Sequence, residues 1–323
     1  MPFRTSMQPY EGARALAQER LAVLPTETVY GLGALATSAT AVGRVFTTKN
    51  RPADHPLIAH VLNDEAAIAW ARNVPSFARS LMNEFWPGPM TLVLSRSSRA
   101  ADFITGGQDS VAIRAPGSPI MRDVLQELCS LRDGPLSAIA APSANRFGGV
   151  SPTTAQHAIE EIGDRLTDDD VVLDAGPCAI GIESTIVDCT ADRPRILRLG
   201  KVTAEDVEHA TGMQLGGHSQ VRAPGILAAH YSPRASVLLV EKVELPEQAI
   251  PSGTGLIAPS DVPTPPGLVR LSDPATTEEY AADLYRALRE TDSLQLSTVV
   301  VVPPSGPGLA EAVRDRITRA THA

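Results

Sequence analysis

The chain has 323 residues and a net charge of −9, long enough for two domains of ordinary size and too acidic for a general affinity for nucleic acid, which needs a basic field. Aromatic residues are only 4% of the chain, which argues against a stacking platform for single strands. Cys129, Cys178 and Cys189 form no C-x-x-C pair. They read as buried thiols of a reducing cytosol. The N-terminus lacks an apolar signal core and no run approaches a membrane span, so a cytoplasmic protein without membrane contact is expected.

In chain order, residues 10–20 read as a helix, and "LAVLPTETVYGLG" (21–33) as a buried strand that turns at its glycines. A Ser/Thr cluster opens a helix over 37–49. Residues 55–62 form a strand, "DEAAIAWAR" and "SFARSLMNEF" two short helices, and 90–97 and 110–116 two strands. An amphipathic helix follows at 119–130, a strand running into a polar turn at 136–145, and a helix at 153–166. Strands are expected at 170–176, 184–190 and 195–200, then a capped helix beginning near 202. Strands and helices interleave without a strict βαβ rhythm, which predicts an α/β domain on a twisted, mixed sheet over 1–212. Residues 213–236 are rich in Gly, Pro, Ser and His and have no period. A segment of that length is usually functional or disordered. Over 237–323 three strands, a helix (276–292), a buried strand and a last helix predict a small, open, Rossmann-like sheet. Residues 236–323 carry 7 basic and 12 acidic residues, so this domain is no basic tail.

Several stretches carry polar groups that suggest chemistry. Lys49 and Arg51 sit two apart, so on an extended strand they share one face, whereas at the end of a helix they would be a solvated terminus. "APSANRFGGVSPT" (141–153) places Ser143 and Asn145 on one face, followed by two glycines and further hydroxyls. Such a turn makes an anion nest. Two cations and a nest describe a triphosphate cradle, and the chain has no G-x-x-x-x-G-K-[ST] loop to serve instead. Arg114 stands among apolar strand residues, and a buried guanidinium needs an anion such as a carboxylate. "GLGALA" (31–36) matches a weak dinucleotide pattern, for which a tight turn is the plainer reading. A nicotinamide dehydrogenase and an RNA-binding module remain open alternatives at this point.

With "PTETVYGLG", "NRPADHPLIAHV", "WPGPMTLVL", "VAIRAPGSP", "APSANRFGGVSPT" and "GIESTIVD" in this order, the chain resembles the YrdC/Sua5 family. "APGILAAHYSP" between the two domains is similar to its two-domain, Sua5-type members. The resemblance implies a threonylcarbamoyl-AMP synthase, a nucleotidyltransferase acting on L-threonine, bicarbonate and ATP with Mg²⁺. Its product feeds N6-threonylcarbamoylation of adenosine 37 in tRNA, with a hand-over to a separate transferase complex and weak or absent tRNA binding by the synthase. By resemblance Lys49 and Arg51 are the catalytic cations. They hold the nucleotide together with Thr91, Ser143, Asn145, Ser151, Arg198 and Tyr231. Thr26, His60, Arg114 and Ser184 surround threonine, with Arg114 on its carboxylate. Residues 213–236 would close over the site, with Tyr231 near the nucleotide and Arg222 turned towards the phosphates. No protein metal site is expected. Two positions depart from the family pattern: Ser118 replaces a His, and Leu199 a Pro expected to stiffen the turn after Arg198.

Overall fold

A computed structural model describes residues 3–132, 134–225, 231–240 and 253–322. Its strands are β1 (Arg4–Ser6), β2 (Ala22–Leu24), β3 (Gly31–Leu35), β4 (Ile58–Val61), β5 (Met90–Ser95), β6 (Ser110–Arg114), β7 (Ala138–Ala140), β8 (Val171–Leu173), β9 (Thr185–Asp188), β10 (Arg195–Arg198), β11 (Ser236–Leu239), β12 (Thr254–Ile257), β13 (Leu268–Ser272) and β14 (Thr298–Val301). The first ten make one mixed sheet in the order β1-β8-β2-β3-β7-β4-β6-β5-β9-β10. Pairs β4–β6 and β5–β9 are parallel, while β3–β7, β4–β7 and β5–β6 are antiparallel. The expected mixed α/β sheet is therefore present.

Both faces of this sheet are covered, as the near-continuous apolar strands require. Side chains alternate between two cores at the strand period. Val23, Leu32 and Val172 enter the larger core, while Leu24, Leu35 and Leu173 face the other. That second core is closed by α1 (Pro9–Ala17) and α6 (Pro119–Leu131), which supply Leu16, Met121, Leu125 and Leu128. The larger core receives Val42, Val45 and Phe46 from α2 (Ala39–Lys49) and continues through α3 (Asp64–Trp70), α4 (Ser76–Phe85) and α7 (Ala155–Ile162). It also takes in Val202 and Val207, so α8 (Ala204–Thr211) belongs with the first sheet. Met213 and Leu215 pack against the same core. The segment that looked structureless thus begins as a docked strap.

Three expectations are corrected. Gly31 and Gly33 lie within β3, not in a turn. A Cβ at Gly33 would stand 2.7 Å from Leu24 Cδ1, and one at Gly31 3.2 Å from Ala141 Cβ, so close packing explains these glycines and the dinucleotide turn is absent. Lys49 and Arg51 are not on a strand. Lys49 ends α2, Asn50 adopts the left-handed conformation at φ 54°, and Arg51 follows. Nor is this helix end solvated, because both cations are buried. The short β1 and α5 (Asp102–Thr105) have no counterpart in the sequence reading.

The second sheet is all parallel, in the order β11-β14-β12-β13. Helices α9 (Thr277–Ser293) and α10 (Leu309–Ala320) pack on it, which agrees with the expected open Rossmann-like sheet. Leu284, Tyr285, Leu288, Val313 and Ile317 of these helices share one apolar cluster with Val29, Val150 and Ile182 of the first unit. The two sheets are therefore joined by a common core. Residues 226–230 of the predicted 213–236 segment, and the end of the predicted strand over 237–242, lie outside the described residues. Among the described residues no helix is long and apolar enough to cross a membrane.

Candidate active site

A cavity lies where loops leave β2, β6 and β7 and enter β4 and β9. Thr26, Thr28, Arg51, His60, Arg114, Ser143, Glu183, Ser184 and Arg198 line it, and Pro224, Gly225 and Tyr231 form part of its wall. The free space among them is about 60 Å³, far below the roughly 300–1,000 Å³ of ordinary small-molecule sites. Three guanidinium groups meet here, with Glu183 in the same wall and Glu27 paired to Arg114.

Arg114 is the last residue of β6 and pairs in register with His60 of β4. Its Nε donates to Gly88 O at 3.1 Å and its Nη1 to Thr28 Oγ1 at 2.9 Å. Nη2 stands 2.7 Å from Glu27 Oε1 as an ion pair, yet among the described residues it has no acceptor along its N–H directions. Burial alone would raise the Glu27 pKa, but Arg114 and the Gly117 amide hold it below the usual carboxylate range. Thr26 Oγ1 donates to Val29 O at 2.6 Å and accepts from the amides of Thr28 and Val29, each at 3.1 Å. Its hydroxyl thus shapes the turn beneath Arg114. Burial, and then the Arg114 charge, push the His60 pKa down to about 3.

Arg51 donates through Nη2 to Pro56 O at 3.0 Å and lies 5.5 Å over the Phe147 ring. Its buried Nε has no acceptor among the described residues. Arg198 donates to Ser184 O at 3.0 Å, Ser184 Oγ at 3.1 Å and Pro224 O at 3.0 Å. All three are neutral oxygens, so its charge is not spent on a carboxylate hydrogen bond. Gly225, at φ 75°, admits this close approach. A Cβ there would stand 2.5 Å from Tyr231 Oη and 2.9 Å from Arg198 Nη1.

Thus Thr26, Arg51, His60, Arg114, Ser143, Ser184, Arg198 and Tyr231 are brought to one cavity. Lys49, Thr91, Asn145 and Ser151 stand one contact behind it. Lys49 Nζ donates to Ser143 O at 2.6 Å and to Asn145 O. Asn145 Nδ2 turns to Arg146 O at 2.7 Å and Gly149 O at 2.8 Å, holding the glycine turn. Thr91 Oγ1 and Ser184 Oγ are 2.8 Å apart. Ser151 Oγ donates to Glu183 Oε1 at 2.6 Å. Arg222 is not at the cavity: it donates to Asp54 O at 3.1 Å and Gly106 O at 2.8 Å. Among the described residues no cluster of His, Cys, Asp or Glu is placed to hold a metal ion.

A family model described as "Telomere recombination" (Sua5, YciO, YrdC) matches residues 14–200. The chain belongs to the Sua5/YciO/YrdC family. A second family model, "Threonylcarbamoyl-AMP synthase, C-terminal domain", matches residues 202–322. The threonylcarbamoyl-AMP synthase of Pyrococcus abyssi is 36% identical over 95% of this chain and 92% of its own length. That of Bacillus subtilis is 32% identical over 96% and 92%. The crystal structure of P. abyssi Sua5 complexed with L-threonine superposes with a TM-score of 0.85 at 32% identity, covering 100% of this chain and 98% of that one.

Both departures of this Sua5/YrdC member from the family pattern have structural replacements. Ser118 caps α6, and its amide donates to Glu27 Oε2 at 3.2 Å. The turn after Arg198 is pinned without proline, because Leu199 O accepts from Arg316 Nη2 at 2.7 Å. The resemblance did not assign Glu27 or Glu183. Glu27 stands within "PTETVYG", inside the turn that Thr26 closes, and that proximity is a usable signal. The partners of Glu183, Tyr285 and Arg316, are 102 and 133 residues away and left no local trace.

The depressed pKa of His60 gives a direct test. A neutral buried imidazole contributes stability that is present above pH ~6.5 and lost as the pH falls towards ~3. The His60 ring should therefore show no titration between pH 8 and pH 5 in two-dimensional ¹H–¹³C NMR spectra. A midpoint near 6.5 would contradict the buried, cation-facing position.

Proposed function

We propose that this chain is an L-threonylcarbamoyladenylate synthase, a nucleotidyltransferase that converts L-threonine, bicarbonate and ATP into threonylcarbamoyl-AMP and pyrophosphate. The observation that carries the reading is the set of three buried guanidinium groups and several hydroxyls around one cavity, in a chain that matches synthases over nearly its full length. Arg114 receives the threonine carboxylate, with Thr26, His60 and Ser184 around the rest of the amino acid. The threonine amine and bicarbonate condense to a carbamate and water. A carbamate oxygen then attacks the α-phosphorus and pyrophosphate leaves. Such a transfer needs positioning and charge neutralisation more than a dedicated base. Lys49, Arg51 and Arg198 supply the positive field, and Thr91, Ser143, Asn145 and Ser151 fix the phosphate-binding turn and its surroundings.

Mg²⁺ fits this scheme as an ion carried by the nucleotide. Glu27 and Glu183 are already engaged by Arg114 and Arg316, so the phosphate oxygens and water would be its ligands, as is common for this ion. In this reading 1–212 is the catalytic unit, 213–236 a cover over the site and 237–323 the second domain. Pro224, Gly225 and Tyr231 in the cavity wall support the cover, which must open for a nucleotide to enter. The product passes to a transferase that modifies adenosine 37 of tRNA, all within the cytoplasm.

The deciding experiment is pyrophosphate release from ATP. It should require both L-threonine and bicarbonate, and release without either would refute the reading. Leu24, Ile58 and Met121 give the cavity an apolar wall for the threonine methyl. One methyl is worth about 1–3 kcal/mol, so kcat/KM for threonine should exceed that for serine by about 10–200-fold. Equal values would show that the methyl is not recognised.

A further inference from the structure

The least exposed charged side chain near the cavity comes from the second sheet. Arg316 of α10 is 1% exposed. Its Nε donates to Glu183 Oε2 at 2.9 Å, its Nη1 to Asp315 Oδ2 at 2.6 Å and its Nη2 to Leu199 O at 2.7 Å. Tyr285 of α9 donates to the same Glu183 oxygen at 2.9 Å. Ser151 donates to the other Glu183 oxygen, so the donors on this carboxylate among the described residues are Ser151, Tyr285 and Arg316, and Arg198 is not one of them. Tyr231 lies over this group: its ring stacks on Tyr285 at 5.4 Å and 26°, with the Arg316 guanidinium 5.4 Å from its centroid. Tyr231 is held at φ 65°, a conformation a bulky residue keeps only where its surroundings fix it.

Glu183 has two cations within electrostatic reach, Arg316 and Arg198. Burial alone would raise its pKa, but these cations and the Ser151 hydroxyl bring it down to about 2, so it carries a full negative charge in the cavity wall. Arg198, by contrast, donates only to neutral oxygens. A buried carboxylate stripped of one partner turns to the other or stays uncompensated.

We propose that Arg316 and Tyr285 are positioning residues through which the second domain completes the cavity of the first: they bind the Glu183 carboxylate and so leave Arg198 free to meet an anionic ligand. The inference rests on the synthase reading, in which that ligand is ATP. It gives the second domain a specific task, neutralising a charge in the wall of a site to which, among the described residues, its own sheet contributes no lining residue.

The test is calorimetric affinity for α,β-methylene-ATP with the full chain. Arg316→Met should weaken binding by about tenfold or more, and Tyr285→Phe by a smaller factor in the same direction. Arg316→Lys, which keeps the charge, should retain most of the affinity. Glu183→Gln placed in either weakened background should recover most of the loss, because it removes the charge that needs neutralising. A merely structural role would not give that rescue. Wild-type affinity in both Arg316→Met and Tyr285→Phe, or no recovery on adding Glu183→Gln, overturns the proposal. If Arg316→Met does not fold, Tyr285→Phe with and without Glu183→Gln decides it. Wild-type protein that binds no nucleotide would overturn the synthase reading and this proposal with it, whereas wild-type binding with unaffected variants removes only the role of Arg316 and Tyr285.

Discussion

Arg114→Met is expected to lower threonine-dependent pyrophosphate release by about 10²–10³-fold, the scale on which removal of one preorganised charge-stabilising donor acts. Nε and Nη1 are fixed by Gly88 O and Thr28 Oγ1, while Nη2 stands 2.7 Å from Glu27 Oε1. A carboxylate arriving there meets a fork whose orientation is already determined. The same substitution strands Glu27, a loss of about 3–5 kcal/mol for a fully buried pair and somewhat less here, since Glu27 retains the amides of Gly117 and Ser118. Stability and activity therefore fall together in the single variant. Adding Glu27→Gln separates them: the melting temperature should recover, and the activity should not. Arg114→Lys should remain folded but impaired, because an ammonium cannot reproduce the fork. If activity returns along with stability in the Arg114→Met, Glu27→Gln double variant, Arg114 is only a counter-ion.

Local chemistry made much of this molecule legible. Helix α2 begins where Ser38 caps it by accepting from Ala41 N at 3.2 Å, and α8 begins at a reciprocal Thr203–Asp206 capping box. Both signals lie within three residues of sequence. The buried strands β4, β5 and β6 declared themselves as apolar runs. By contrast β1 is three mostly exposed polar residues, and it is a strand because Arg4 pairs with Val171 of β8, far away in the sequence. The glycines of β3 looked like a turn because glycine is permissive, but here they serve close packing against Leu24 and Ala141. The cations at 49 and 51 converge for a reason the strand argument missed. A left-handed residue between them turns the chain at the end of a helix. The lining of the cavity was legible through ordered motifs, each bringing one or two side chains. What joined Glu183 to Tyr285 and Arg316 was tertiary packing between two sheets, for which a linear sequence holds no spacing rule.

Lys49 offers the second large effect. It is 2% exposed, and among the described residues it has no carboxylate hydrogen-bonded to it. Its ammonium donates to Ser143 O and Asn145 O, while its own carbonyl accepts from Phe147 N at 2.9 Å. The residue thus clamps both ends of the 143–147 turn. Burial, with Arg51 beside it, drives its pKa well below the ordinary lysine range. In Lys49→Met two buried carbonyls lose a donor, at about 1–3 kcal/mol each. Relief from burying an ammonium offsets this by several kcal/mol. The two terms oppose one another at similar size, so the melting temperature should move little. Activity should nevertheless fall by about 10²–10³-fold, because the 143–147 turn, in its proposed phosphate-binding role, loses both its charge and its anchor. The pH dependence carries the sign of the lowered pKa. In the proposed role only the protonated form holds an anion, so nucleotide affinity should be full at lower pH and weaken as pH rises through the depressed value, before an exposed lysine would titrate. Calorimetric titration of the wild type and of Lys49→Met with an ATP analogue over the pH range below that of an ordinary lysine checks this. Activity within threefold of wild type, or the same loss with rising pH in Lys49→Met, would show that the ammonium has no part in holding the nucleotide.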